Sequence, residues 1–424
     1  MNRRLYVDVT RTARETTYTG IQKVVRTTYR ALAKHAAGRD CEVIAIAIDK
    51  HGAYRLGDLP LHPYEQDPSQ ASAPPQKADG LLTRLRGFSR RQPDNVVKKA
   101  IRLGGRMASS LMWRAKRLRG AFEKRNYVIF RPDDILLLPD SAWVENPWPV
   151  VADLKARGGT LAAIWYDLIP VTHPHFFSEQ LVASFRSYLE KIVMHADHVA
   201  CISRTVQLEL EAFAARMGKP LHVETVYPIV TFSQPPAKPR QDMGRAFARP
   251  TLLIVATIEP RKGHALLLEA CEALWADGHD FNLVIIGRIG WKVEGLMDCL
   301  SSHAEKDSRL FLFHDASDAD VAFAFQRARL LVFPSETEGL GLPILEAELA
   351  GCPTLCSDIP VFREIASPST RFFSPYSAAG LRAALQIALA DGATSGPLPS
   401  PSTNAEERAR AYANRLFDVV LARH

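Results

Sequence analysis

Cysteine is scarce and unpatterned in this chain. Its six cysteines, Cys41, Cys201, Cys271, Cys299, Cys352 and Cys356, form no C-x-x-C pair and no framework spacing. That argues against a disulfide scaffold and for a reduced, cytosolic chain in which cysteines pack. Cys352 and Cys356 flank an expected strand. Long apolar runs are also missing, so no segment is expected to span a bilayer. The amino-terminal Met-Asn-Arg-Arg-Leu-Tyr-Val-Asp-Val enters a strand pattern directly and lacks the apolar region of a signal peptide. Glycine is not arranged as a dinucleotide fingerprint. Gly287-Arg-Ile-Gly290 has one short glycine pair but neither the third glycine nor the spacing.

What is present starts with length. At 424 residues the expectation is two domains or more, and an apolar fraction of 47% is ordinary for a globular protein that buries a full core. The net charge of +7 is uneven. Between Leu81 and Asn126, fourteen Lys or Arg residues face only Asp94 and Glu123, so that segment carries +12 and the remainder −5. Val97 to Leu118 can form an amphipathic helix with Met107 and Trp113 among basic residues. Such a helix suits an anionic membrane surface; a solvated helical insertion is the alternative. Aromatics are too sparse there for base-stacking platforms, which excludes nucleic acid as the expected partner.

Short apolar runs alternate with helical stretches along the whole chain. Leu5–Val9, Glu42–Ile48, Asp134–Pro139, Thr160–Trp165 and His198–Ile202 read as strands, with a helix from about Ile21 to His35. Residues 56–80 read as a surface loop, and 231–249 as a linker. A fresh series follows at Thr251–Ala256, Phe281–Ile286, Leu310–Phe313, Leu330–Phe333 and Pro353–Cys356. This pattern predicts an α/β fold with two doubly wound, Rossmann-like domains. Ligands in such sheets sit at the carboxyl ends of strands. The expected domains are 1–235, carrying the basic insertion at about 81–126, and 250–395. A second linker covers 391–403, and a terminal helix lies within 404–424.

Three motifs fall at those strand ends. Phe333-Pro-Ser-Glu-Thr-Glu-Gly-Leu-Gly-Leu-Pro-Ile-Leu-Glu346 sets Glu338 in a loop and Glu346 in the first turns of a helix that starts near Pro343. A helix N-terminus attracts phosphate through its N–H groups, and a glutamate there suits a neutral partner such as a sugar hydroxyl. Upstream lies Glu259-Pro-Arg-Lys-Gly263, where Arg261 and Lys262 can neutralise a diphosphate. The third is Trp165-Tyr-Asp-Leu-Ile-Pro170. Together, over residues 165–353, these resemble the E-x7-E and associated motifs of retaining glycosyltransferases of the GT-B fold, most closely glycosyltransferase family 4.

The resemblance implies two Rossmann-like domains facing a central cleft, 1–235 as the acceptor domain and 250–395 as the nucleotide-sugar domain, with a C-terminal helix crossing back to the first. It implies catalytic roles for Glu338, Arg261, Lys262 and Asp167. Arg261 and Lys262 would stabilise the leaving diphosphate, Glu338 would contact donor-sugar hydroxyls, and Glu346 would bind the ribose. Gly339, Leu340, Gly341 and Leu342 would offer backbone N–H groups. Gly20, with Lys23 and Arg26 on the following helix, would face the diphosphate, although some members have two glycines there. Asp167 would bind a donor or acceptor hydroxyl, or else cap its own loop. Ser203 divides between a substrate-facing role and a helix cap. His173 and His175 read as structural, and Glu336 as solvent-facing. Asp318-Ala-Asp320 mimics a metal-binding D-x-D, but Ser317 before it makes a helix N-cap the better reading; no metal ligands are expected.

The implied activity is metal-independent, retaining hexosyl transfer with no cofactor. A hexose or deoxyhexose, mannose from GDP-mannose first, would pass from a nucleotide-sugar to a glycan or lipid-linked polysaccharide or lipopolysaccharide acceptor. UDP- and dTDP-sugars stay open as donors. The expected location is cytoplasmic, or peripheral on the inner face of the cell membrane through 81–126. The rival reading is a non-catalytic nucleotide-sugar or glycan-binding subunit of a polysaccharide assembly complex.

Overall fold

The structure, a computed structural model, describes residues 3–14, 20–57, 126–141, 143, 145–230, 238–374, 376–391 and 405–422. The basic segment 81–125, most of the loop 56–80 and residues 392–404 lie outside them. The chain divides into two compact units. One is Met1–Ile44 with Phe130–His424, and the other is Ala45–Ile129. The expected division between 235 and 250 therefore falls inside the larger unit, which contains two Rossmann-like lobes.

In the first lobe, β1 (Arg3–Asp8) leads through α1 (Thr10–Arg14) to α2 (Gly20–His35) and β2 (Cys41–Asp49), which crosses the boundary between the units. In the smaller unit, the end of β2 pairs antiparallel with β3 (Gly52–Arg55), and Tyr54 bridges to Tyr127. The first lobe continues with β4 (Ile135–Leu138), α3 (Trp148–Ala156), β5 (Thr160–Trp165), α4 (Ile169–Thr172), α5 (Glu179–His195), β6 (His198–Cys201), α6 (Arg204–Arg216) and β7 (Val223–Thr225). Strands β1, β4, β5, β6 and β7 pair in that order, all parallel. Strands β4, β5 and β6 are nearly all apolar and buried, as strands covered by helices on both faces must be.

The second lobe opens with α7 (Gln241–Ala246), so part of the expected linker is a helix; Met243 and Ala246 bury its inner face. It proceeds through β8 (Thr251–Val255), α8 (His264–Ala276), β9 (Asn282–Ile286), α9 (Glu294–Ser302), β10 (Leu310–Phe313), α10 (Asp318–Arg327), β11 (Leu330–Phe333), α11 (Leu342–Leu349), β12 (Thr354–Ser357), α12 (Pro360–Ile365), β13 (Thr370–Phe373) and α13 (Ala378–Ala390). The sheet order is β10-β9-β8-β11-β12-β13, parallel throughout. The order reverses between β8 and β11. The crevice at their carboxyl ends is where doubly wound sheets bind ligands, and it receives Glu259–Lys262 and Glu338.

Helix α14 (Ala405–Val420) returns to the first lobe and packs on α2. Tyr412 and Thr28 share a 2.7 Å hydroxyl hydrogen bond, and Arg415 pairs with Glu224. Cys356 lies within β12 rather than at its edge. All six cysteines are free, and only Cys299 is exposed. Among the described residues no helix is long and apolar enough to cross a membrane.

Candidate active site

Arg261 and Lys262 reach the site through a tight backbone junction. They occupy a single 3-10 turn, Pro260–Lys262, which Gly263 ends at φ +71° before α8 begins. A Cβ on Gly263 would lie 2.1 Å from the Pro334 carbonyl oxygen, so only glycine lets this turn press against the loop after β11. The Glu336 N–H donates to the Arg261 carbonyl at 2.8 Å and locks the two loops together. Both cations are thereby delivered to Glu338.

Arg261 Nη1 donates to Glu338 Oε2 at 2.8 Å and to the Thr337 carbonyl at 2.9 Å. Its Nη2 pairs with Glu259 Oε1 at 2.7 Å, and Lys262 Nζ bonds Glu338 Oε1. All four side chains are largely buried. Burial works against charge on Glu338, but Lys262 and Arg261 outweigh it and hold the carboxyl at about 2. Burial, with Arg261 adjacent, lowers the Lys262 ammonium. For Glu259 burial dominates and raises the carboxyl despite Arg261. The two cations are matched by two carboxylates, an arrangement that costs several kcal/mol if one partner is removed alone.

The first lobe supplies the opposite wall. A Cβ on Gly20, the first residue of α2, would lie 3.5 Å from Leu342 Cδ1, so the N-termini of α2 and α11 meet. One turn into α2, Lys23 pairs with Glu346, whose carboxyl is raised by burial against the pull of Lys23. The first N–H groups of α11 have no acceptor within the helix. Asp167, after β5, accepts from the Ile169 N–H at 3.0 Å, the loop-capping role. It also lies in the field of the cluster. Burial raises its carboxyl, Arg261 and Lys262 lower it, and Glu338 raises it. Ser203 takes the helix-cap role and also joins the two lobes. Its hydroxyl accepts from the Val206 N–H and donates to the Gly339 carbonyl at 2.7 Å.

Other expected residues stay outside this cluster. Glu336 is exposed. His173 stacks on Phe176 and His175 lies tilted against the same ring, on a surface turn. Asp320 completes a capping box with Ser317 at the start of α10. Among the described residues no group of three or more His, Cys, Asp or Glu could hold a metal ion.

Several residues that sequence reasoning missed join the lobes. Trp291 Nε1 donates to the Phe176 carbonyl at 2.9 Å, and Lys292 Nζ to the His175 and Phe177 carbonyls, each at 2.9 Å. Glu364 of α12 accepts from the N–H groups of Arg204 and Thr205 at 2.6 and 2.9 Å, capping α6 of the other lobe, and from Tyr227. Asp8 and Asp140 also went unremarked. Asp8 ends β1 and Asp140 follows β4; both are buried. Burial, with Asp140 nearby, pushes Asp8 up to about 7. A carboxylate ending an apolar parallel strand was the available signal.

This geometry has the GT-B architecture: two Rossmann-like lobes with strand ends turned to one cleft, a cation pair on one loop and an acidic loop beside it. The match to known proteins agrees. Residues 239–412 match the model described as Glycosyl transferases group 1. It is similar to the serotype-specific mannosyltransferase WbdA of Escherichia coli, 33% identical over 60% of this chain and 33% of that protein. The O-antigen chain mannosyltransferase RfbU of Salmonella typhimurium is 27% identical over 50% of this chain and 55% of its own length. The chain thus spans about a third of WbdA. Among solved structures, sucrose-phosphate synthase of Thermosynechococcus elongatus has a TM-score of 0.56 at 18% identity, covering 98% of this chain and 97% of that one. Anabaena HepE, in complex with UDP and glucose, has a TM-score of 0.53 at 14% identity, covering 99% and 97%. At such identities these structures speak for the fold alone.

Proposed function

We propose that the chain is a retaining glycosyltransferase that moves a hexose or deoxyhexose, mannose from GDP-mannose first, onto a lipid-linked O-antigen-type polysaccharide. The acceptor would be met at the inner face of the membrane, near the basic segment 81–126. The supporting observation is the buried Arg261–Glu338–Lys262 cluster at the reversal point of the second sheet, with Asp167 and Gly20 opposite.

Breaking the glycosidic C–O bond leaves positive character on the sugar ring and added negative charge on the diphosphate. Arg261, Lys262 and the α11 N-terminus are placed to stabilise that charge as it develops. Donor binding would shift Glu338 from its cations onto sugar hydroxyls, and Glu346 from Lys23 onto the ribose. No carboxylate pair stands out as flanking the reacting carbon, so front-side attack, with the leaving phosphate taking the acceptor proton, is the mechanism favoured over double displacement. No metal or cofactor is invoked.

A panel of GDP-mannose, UDP-glucose, UDP-galactose and dTDP-rhamnose tests this by thermal shift and by sugar release, with and without EDTA. GDP-mannose should give the largest shift and an EDTA-insensitive release. A response confined to a UDP- or dTDP-sugar would reassign the donor, and no response from any would refute the activity.

A further inference from the structure

Glu259 is the most deeply buried carboxylate of the Arg261 cluster. It is 3% exposed, whereas Glu338 and Asp167 are half-buried. Its Oε1 pairs with Arg261 Nη2 at 2.7 Å. Its Oε2 is buried and has no hydrogen-bond partner among the described residues. An ionised carboxylate oxygen can only accept, and a buried acceptor left unmatched costs free energy. The proposed mechanism gives Glu259 no task.

The charged groups around Glu259 come from three elements. Its own turn brings Arg261 and Lys262, the loop after β11 brings Glu338, and the loop after β5 brings Asp167. The loop after β9 backs Glu259 through Gly290, where a Cβ would lie 3.4 Å from Glu259 Cβ; Arg288 and Lys292 on that loop are exposed. Three carboxylates thus face two cations. A nucleotide-sugar diphosphate adds two more negative charges. Glu338 accepts from both cations, and would exchange them for sugar hydroxyls; Asp167 accepts from the Ile169 N–H. Glu259 has Arg261 alone, and an arriving diphosphate would draw on that same guanidinium. Burial already raises the Glu259 carboxyl in the free chain. Added negative charge nearby pushes it the same way.

We infer that donor binding is proton-linked: as the diphosphate settles on Arg261 and Lys262, Glu259 takes up one proton on Oε2. The proton comes from solvent and returns to it when the nucleoside diphosphate leaves; no bond of the sugar takes part. A neutral Oε2–H removes one negative charge from the buried cluster, while Oε1 keeps its bond to Arg261. Glu259 is therefore a positioning residue, which holds the guanidinium without competing for its charge. The inference rests on the proposed donor reading, because the diphosphate is what drives the protonation. The sign of the pH effect follows. At low pH Glu259 carries its proton with and without donor, and affinity is constant. As pH rises past the free chain's value, each donor bound takes up a proton, and affinity falls by up to about tenfold per pH unit.

Titration calorimetry of the full chain tests this with GDP-mannose, UDP-glucose, UDP-galactose and dTDP-rhamnose, in paired buffers of different ionisation enthalpy from about pH 6 to about pH 8. Both phosphates of these donors are esterified, so the ligand does not titrate in that range. With the donor that binds, uptake should reach about one proton per donor bound. Glu259→Gln, which keeps the shape and Oε1 but stays neutral, should bind that donor with no uptake and with an affinity constant to within about twofold over the range. Asp167→Asn should retain the uptake. Binding by the unaltered chain without uptake at any pH would overturn the inference while leaving the donor reading intact. Undiminished uptake in Glu259→Gln would overturn it too, by assigning the proton to Lys262 or Asp167. Failure of all four donors to bind would refute the donor reading, and the inference with it.

Discussion

Arg261→Ala is expected to abolish most sugar transfer, by about 10²- to 10³-fold in kcat, the scale seen when one charge-stabilising donor is removed. It should also weaken the fold. Arg261 bonds Glu338, Glu259 and the Thr337 carbonyl within one buried cluster. Its loss leaves two carboxylates facing Lys262 alone. Breaking a buried pair from one side costs about 3–5 kcal/mol. Arg261→Lys separates the two effects. It restores charge but not the planar fork that reaches Glu259 and Glu338 together, so stability should recover more than transfer does. Urea unfolding and initial rates at saturating donor measure the two. A near-normal kcat in Arg261→Ala would remove Arg261 from the chemistry.

Gly339→Ala should act on the meeting of the two lobes. A Cβ there would lie 2.0 Å from the Tyr166 carbonyl oxygen and 3.2 Å from Asp167 Cβ. The first obstacle is backbone, and Tyr166 is anchored by its hydroxyl, which donates to the Pro139 carbonyl at 2.6 Å. Neither side can yield by rotating a side chain, so the lobes must part. Parting them pulls Asp167 away from Glu338 and breaks the Ser203–Gly339 bond. A displacement of about 1 Å at a reacting centre can cost 10²-fold, and transfer should fall by about that much. Circular dichroism should stay unchanged while the radius of gyration from solution scattering rises. Unaltered scattering and rate would show that the lobes do not close on Gly339 in solution.

How far the sequence revealed this arrangement depends on which interaction is local. The strands and the helix after Gly341 were legible because parallel strands buried on both faces must be continuous apolar runs. Glu338, Arg261 and Lys262 were legible because they sit in motifs at strand ends. What could not be read was their pairing, 76 and 77 residues apart in the chain. That contact depends on Gly263 lying flat against Pro334. Short strands such as Val223–Thr225 and Thr370–Phe373 were missed because their partly exposed, mixed residues carry no apolar run. The helix Gln241–Ala246 hid in a polar, Pro-flanked stretch where tertiary burial of Met243 outweighs local composition. The cross-lobe contacts from Glu364 and Lys292 left no signature, since each meets backbone groups more than a hundred residues away in the chain.

The position of a bound diphosphate tests the central claim most directly. In a crystal structure of the chain with GDP-mannose, its oxygens should lie within hydrogen-bond reach of Arg261, Lys262 and the α11 N-terminus, with Glu346 turned from Lys23 onto the ribose. An ordered nucleotide whose diphosphate lies elsewhere, with Arg261 and Lys262 still closed on Glu338, would contradict it.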